Sequence, residues 1–343
     1  MRPPDPHALR ALPKIELHRH LEGALRLETL VDLAAEYDLP LPRTADGLRP
    51  LVQVVPGDAR TWDNFLAKFR TLRQFFRSET VIRRITREAV ADAADDGVRY
   101  LELRFTPVAL ASASGSSFPE VMNWVCETAA AESERCGIVT RLIVSINRHE
   151  GAELGASVFD AAADFAEQGI VAVDLAGREP DVDVRPFGPL FDRARARGFG
   201  VTIHAGEWRG AQSVRDALDV FGAERIGHGV RAVEDHALLD LLARRGVVLE
   251  VCPSSNVDSG VTPSLEQHPL PRLLKAGVRT TLNTDDPGLS ALTLSEEFSR
   301  VLAALPVTMA DLQQVTVTAA EAAFLPAEQR HALALAYRDR WTE

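Results

Sequence analysis

The sequence predicts an α/β protein of the TIM (β/α)8 barrel class, with a helical lid insertion after the first strand and extra helices at the C-terminal end. Three observations carry that expectation. Eight short apolar or β-branched runs alternate with amphipathic helical stretches along almost the whole chain, as parallel strands joined by crossover helices would. Glycines stand where helices should stop, at Gly97, Gly137, Gly198, Gly246 and Gly277, positions that suit left-handed helix caps. The residues able to do chemistry gather at the ends of the expected strands, the barrel face on which active sites are built.

The first strand is expected over Lys14–His20, and the connection that follows is longer than one helix needs. It holds a helical pattern over Leu25–Tyr37, a Pro56-Gly57 turn and the aromatic segment Trp62–Phe69. Phe65 and Phe69 are spaced i, i+4, which fits a lid over the barrel mouth and a core helix equally. Strand two, Val98–Phe105, leads to a capping box at Ser117 and Glu120 that opens a helix over Phe118–Arg135. Strands then alternate with helices: Val139–Ile146, helix Ala152–Glu167; Ile170–Leu175, helix Arg185–Arg197; Gly200–Ala205, helix Val214–Phe221; Arg225–Gly229, helix Asp235–Arg245. Val247–Val251 and Val278–Asn283 complete the eight, and Leu294–Leu305, Met309–Phe324 and Ala327–Tyr337 continue as helices. With no linker, repeat or low-complexity tract in view, residues 1–343 are expected to form a single domain.

The composition, 46% hydrophobic and 25% charged, is that of a globular chain with apolar residues enough for a large core. A net charge of -11 argues against a nucleic-acid polymer as partner, since phosphate neutralisation needs clustered Lys and Arg. Cys126, Cys136 and Cys252 are too few and scattered for a disulfide framework and read as buried thiols. Met1–Pro6 lacks an apolar signal region and no stretch of 18 uncharged apolar residues occurs, so a cytoplasmic location without membrane association is expected.

Alternate residues of a strand face one way, so His18 and His20 can project toward one point. Alone, an H-x-H pair is weak. Its position at the end of strand one gives it weight, because strand five ends in His204-Ala205-Gly206-Glu207, strand six in Gly227-His228-Gly229, and strand eight in Thr284-Asp285-Asp286. In a barrel these ends are neighbours. His18, His20, His204 and Asp285 make a plausible Zn²⁺ ligand set with room for a water. Water on such an ion ionises near neutral pH, giving a hydroxide nucleophile. Catalytic roles fall to Asp285, His228 and Glu207. His228 would orient or deprotonate the water, or serve as a further ligand. Glu207 would donate a proton to a substrate nitrogen, or hold a histidine in place. His7, His236, His268 and His331 read as non-catalytic, and His149 as a structural hydrogen-bonding residue.

Six stretches together resemble the adenosine deaminase family of the amidohydrolase superfamily. They are Pro13–Leu21, Phe65–Phe69, Asp174–Gly177, His204–Glu207, Arg225–Gly229 and Thr284–Pro287. The resemblance implies one Zn²⁺ per chain and hydrolytic removal of the 6-amino group from an adenine nucleoside, giving the 6-oxo purine and ammonia. It implies that Glu207 protonates purine N1, that the Gly177 N–H meets N3 and that Asp286 bonds N7. Phe65, Leu66 and Phe69 would belong to an apolar lid, and His20 and Glu22 would touch the substrate. The main departure is Glu22, where adenosine deaminases usually carry Asp against the ribose 5′-hydroxyl; the same Glu occurs in relatives acting on adenine or on 5′-modified nucleosides such as aminodeoxyfutalosine. Adenosine or a 5′-modified adenosine is the expected substrate, with free adenine as the alternative. A silent purine-binding relative and an ester or amide hydrolase are the other classes weighed.

Overall fold

A computed structural model describes residues 6–340. Its eight strands are β1 (Lys14–His20), β2 (Val98–Phe105), β3 (Val139–Asn147), β4 (Ile170–Ala176), β5 (Gly200–Ala205), β6 (Arg225–His228), β7 (Val248–Val251) and β8 (Arg279–Leu282). They form one sheet in chain order, every adjacent pair parallel. Nearly all strand residues are buried, as a parallel sheet wrapped by helices requires.

The seam between β1 and β8 is closed at its C-terminal end by a bridge between Arg19 and Asp285. His20 N–H donates to Asp285 O (2.8 Å) and Asp285 N–H to His18 O (3.0 Å). The bonds that shut the barrel therefore seat Asp285 between the two histidines of β1. The barrel is of the TIM class.

Strand bounds differ from the sequence reading by a residue or so: β6 stops at His228, β7 starts at Val248, and Asn283 lies beyond β8. Two expected helices are split. Ala152–Ala162 continues as a 3-10 turn over Ala163–Gln168, and Arg185–Phe187 is a 3-10 turn before helix Gly188–Ala196. Pro186 and Pro189 account for the second split, since neither can donate inside a helix.

The β1–β2 connection contains helices Leu27–Glu36, Ala45–Val52, Trp62–Leu72 and Glu79–Asp95. Thr44, Thr61 and Ser78 cap the last three with side-chain oxygens. At the other end of the chain, Leu294–Ala304 and Met309–Ala322 open on capping boxes at Thr293/Glu296 and Thr308/Asp311. Val317, Ala319 and Ala320 of the latter, with Ala334 and Tyr337 of helix Ala327–Arg340, pack on Ile15, Leu17 and Tyr100. This apolar plug covers the barrel end away from the strand C-termini.

The barrel interior is charged rather than filled with aliphatic layers. Arg104 lies 2.7 Å from Glu250 and 3.2 Å from Asp174, and Arg225 pairs with Glu250 (2.7 Å) and Glu102. All five are buried. Cys126 and Cys252 are buried and Cys136 is half-buried, all as free thiols. Among the described residues no helix is long and apolar enough to cross a membrane. The Met1–Asp5 stretch read for a signal region lies outside the described residues.

Candidate active site

The strand ends bring four imidazoles into one cluster. His18 and His20 leave β1 on the same side, His204 stands near the end of β5 and His228 closes β6. The His18 ring centroid is 5.3 Å from that of His20, 4.7 Å from His204 and 4.9 Å from His228. Asp285 Oδ1 lies 3.1 Å from His18 Nε2 and 3.3 Å from His20 Nε2, and the Nε2 atoms of His20 and His204 are 3.2 Å apart.

Carboxylates hold the far sides of these rings. His18 Nδ1–H donates to Glu250 (2.7 Å), His204 Nδ1–H to Asp174 (2.9 Å), and the Ser255 hydroxyl to Asp285 Oδ2 (2.6 Å). Such bonds fix the tautomer and turn each Nε2 lone pair inward. His18 Nε2 is buried with no hydrogen-bond partner among the described residues. Inward lone pairs crowded beside a carboxylate call for a cation, and nitrogen donors with one carboxylate suit a divalent transition metal. His18, His204, His228 and Asp285 offer donor atoms within 4.8 Å of one another. Distance alone thus leaves His20 and His228 as rivals for the third imidazole position.

Burial lowers the pKa of His20, His204 and His228, favouring neutral rings. Burial would raise that of Asp285, but the His18 ring against it and the nearby His228 and His20 hold it well below the usual carboxylate range. Glu207 moves the opposite way: burial, then the carboxylates of Asp285, Glu179 and Asp286, push it well above that range. Its loop is clamped from β4's side by Glu179, which accepts from the N–H groups of Gly206 (2.7 Å), Trp208 (2.6 Å) and Arg209 (2.8 Å) and from the Ser213 hydroxyl.

Asp286 Oδ1 is buried without a hydrogen-bond partner among the described residues. Burial, Asp285 and Glu22 together raise its pKa well above the ordinary value. Only glycine fits beneath it at position 23, because a Cβ there would sit 1.7 Å from Asp286 Oδ1. Gly177 has φ +82°, and a Cβ on it would meet His149 Nδ1 at 2.7 Å. His228 and Asp285 adopt left-handed φ of 59° and 64° without being glycine, the kind of strain held at functional sites.

A cavity of about 430 Å³ opens over the cluster, lined by His20, Glu22, Phe65, Leu66, Phe69, His149, Gly177, Glu207, His228, Asp285 and Asp286. Its size suits a small-molecule ligand. Helix Trp62–Leu72 buries Phe65 in the core, with the Phe69 ring 6.2 Å away, while both also line the cavity. The two readings of that helix are therefore one surface. Glu22 is buried: Oε1 accepts the Thr106 N–H (2.5 Å), whereas Oε2 has no hydrogen-bond partner among the described residues.

Residues 13–337 match the family described as adenosine deaminase. The chain belongs to the adenosine deaminase family. It is similar to the adenosine deaminase of Clostridium perfringens strain 13, with 34% identity over 94% of this chain and 97% of the relative. Among solved structures it resembles the adenine deaminase of Arthrobacter aurescens (TM-score 0.89, 27% identity, 97% of this chain and 100% of that one). It also resembles an amidohydrolase of Burkholderia ambifaria with bound Zn (TM-score 0.89, 27% identity, 98% of this chain and 92% of that one). The protein is a hydrolytic deaminase of adenine compounds.

All the site candidates of this family member line one cavity except His18, which lies buried against His20, His204 and His228 beside it, and His236 and His331 lie exposed and outside it. His7 falls in helix Pro6–Ala11. His268 lies in the loop before helix Leu270–Lys275, as expected, and touches His228's neighbour Asn256. It is 3% exposed and joined through Asn256 to His228. Glu250 at the end of β7, Ser255 and Asn256 just beyond it and Glu179 just beyond β4 are not singled out by the sequence, because nothing local marks a residue that acts through a neighbour in space.

Proposed function

We propose that this chain acts over residues 1–343 as one catalytic unit, a cytoplasmic, zinc-dependent enzyme that removes the 6-amino group from an adenine nucleoside. The observation that carries this reading is the convergence of inward-facing imidazole nitrogens and the Asp285 carboxylate beside a proton-holding Glu207 in one cavity. His18, His20, His204 and Asp285 would hold one Zn²⁺ per chain. An ion bound there brings the ionisation of water toward neutral pH.

The protein's own groups supply the rest. Glu207, kept protonated by burial, donates to purine N1 as the oxygen of water adds to C6; of water's two protons one leaves with the amino group and the other restores Glu207. Protonated Asp286 donates to N7, and the Gly177 N–H to N3, so the ring is read on three acceptors. His228 Nε2, 3.7 Å from Glu207 Oε1 and 3.9 Å from Asp285 Oδ2, faces the attacking water. The amino group leaves as ammonia and the 6-oxo purine remains. Phe65, Leu66 and Phe69 cover the ring and exclude bulk water, and His20 and Glu22 face the N9 substituent. Arg70, Arg73 and Arg178 also line the cavity, which favours a polar substituent, adenosine or a 5′-modified adenosine, over a bare ring.

A spectrophotometric panel of adenine, adenosine and 5′-substituted adenosines, run with metal-replete enzyme, tests this. Conversion of a nucleoside to its 6-oxo product with about one zinc per chain is expected. Turnover of adenine alone would transfer the assignment to the free base, and turnover of none would end it.

A further inference from the structure

Behind His228 runs a hydrogen-bond chain whose polarity is fixed from one end. Leu270 opens helix Leu270–Lys275, and its backbone N–H, a donor with no partner inside the helix, points at His268 Nδ1 (3.1 Å). A backbone N–H can only donate, so Nδ1 of His268 accepts and carries no proton. Burial drives the pKa of His268 down to about 3, so the ring is neutral and its single proton is on Nε2. His268 Nε2 lies 3.1 Å from the Asn256 side chain, whose oxygen must therefore be the atom facing it. The amide NH₂ then faces His228 Nδ1 at 3.1 Å. With the amide turned round, two donors would confront each other in a pocket where Asn256 and His268 have almost no solvent contact.

We propose that His268 and Asn256 are positioning residues that set the tautomer of His228, placing its proton on Nε2. His228 Nδ1 accepts from Asn256, and Nε2–H is directed into the cavity toward Glu207 and Asp285. A ring in this state offers no lone pair at the centre. His228 then donates a hydrogen bond to the attacking oxygen and neither ligates a metal through Nε2 nor takes a proton there. The third imidazole position falls to His20. In its catalytic consequence this inference rests on the deaminase reading; the tautomer itself does not.

The first test needs no turnover. In zinc-loaded, substrate-free protein labelled with ¹⁵N-histidine, the His228 and His268 signals are assigned by their loss in H228Q and H268Q. Both rings are expected to show an unprotonated Nδ1 and a protonated Nε2. A protonated Nδ1 on His228 would overturn the proposal. In kinetics, H268A is expected to lower kcat about tenfold, on the scale of losing a group that orients an active-site imidazole, with KM within about twofold and zinc content unchanged. H268Q, whose amide can donate to Asn256, restores most of the loss. N256D can only accept and so draws the His228 proton to Nδ1; its kcat should fall about 100-fold. In an H228A background H268A should cost nothing more, whereas a full further tenfold loss would refute an action through His228. Expected tautomers without purine turnover would sink the function and leave the relay standing; turnover with the opposite tautomer would do the reverse.

Discussion

At the scale of single residues, the site is governed by what crowding does to protons. Glu207 sits among Asp285, Glu179 and Asp286 with little water, so its carboxyl keeps its proton to a higher pH than an ordinary glutamate does. Activity that needs this proton is lost as pH rises through the raised pKa, giving an alkaline limb. The E207Q variant should lose about 10²–10⁴-fold in kcat and lose that limb, while metal analysis still finds its zinc. Gly23 makes a second, steric case. A methyl group there collides with Asp286 at 1.7 Å, so G23A should displace the carboxylate and raise KM for a purine bearing N7 far more than it changes the melting temperature. A 7-deazapurine substrate, lacking that nitrogen, should show little further loss in G23A, and an equal loss for both substrates would count against the contact.

At the scale of elements, the ends of β1, β5, β6 and β8 deliver the chemistry while helices outside the barrel support them. Helix Leu294–Ala304 is pinned to the start of helix Pro253–Asp258 by Glu297, which accepts the Ser254 N–H at 2.8 Å and the Ser254 hydroxyl. Burial raises the Glu297 pKa from 4.5 to about 7. The native state therefore binds the proton more tightly than the unfolded chain, and this contribution is complete below about pH 4.5 and lost as pH rises through about 7. Thermal melts of E297Q and the parent should converge or cross in favour of E297Q between pH 5 and pH 8, by roughly 3 kcal/mol at most. A gap that stays constant with pH would contradict the assignment. The helix carrying Phe65 shows why spacing could not choose between core and lid: an i, i+4 apolar pair buries the same face in both, and only the cavity's position shows that one face does both jobs.

At the scale of the whole molecule, the barrel wall is held from within by charge. Arg225 bridges Glu102 and Glu250, and Glu250 in turn holds Arg104 and His18. Removing one partner leaves buried carboxylates uncompensated. R225M should therefore cost about 3–5 kcal/mol in denaturant unfolding, and a loss under 1 kcal/mol would show that the network is solvated. The connection to His18 means the same variant should also weaken zinc retention, which a surface pair such as Arg43–Asp38 would not do on removal.

The order of eight strands, the long insertion after β1 and the residues His18, His20, His204, Glu207, His228, Asp285 and Asp286 were legible in the chain. Periodicity and strand-end position are local properties, and the barrel converts strand ends into neighbours by geometry alone. What only the tertiary structure decided is which groups stand behind those residues. Glu250, Glu179, Asn256 and His268 lie 232, 28, 28 and 40 positions from the site residues they serve, taking His18, Glu207, His228 and His228 in turn. Their effect is to fix tautomers and hold loops by hydrogen bonds of about 3 Å. A directional contact of that kind depends on coordinates in three dimensions, and the sequence has no periodicity that records it.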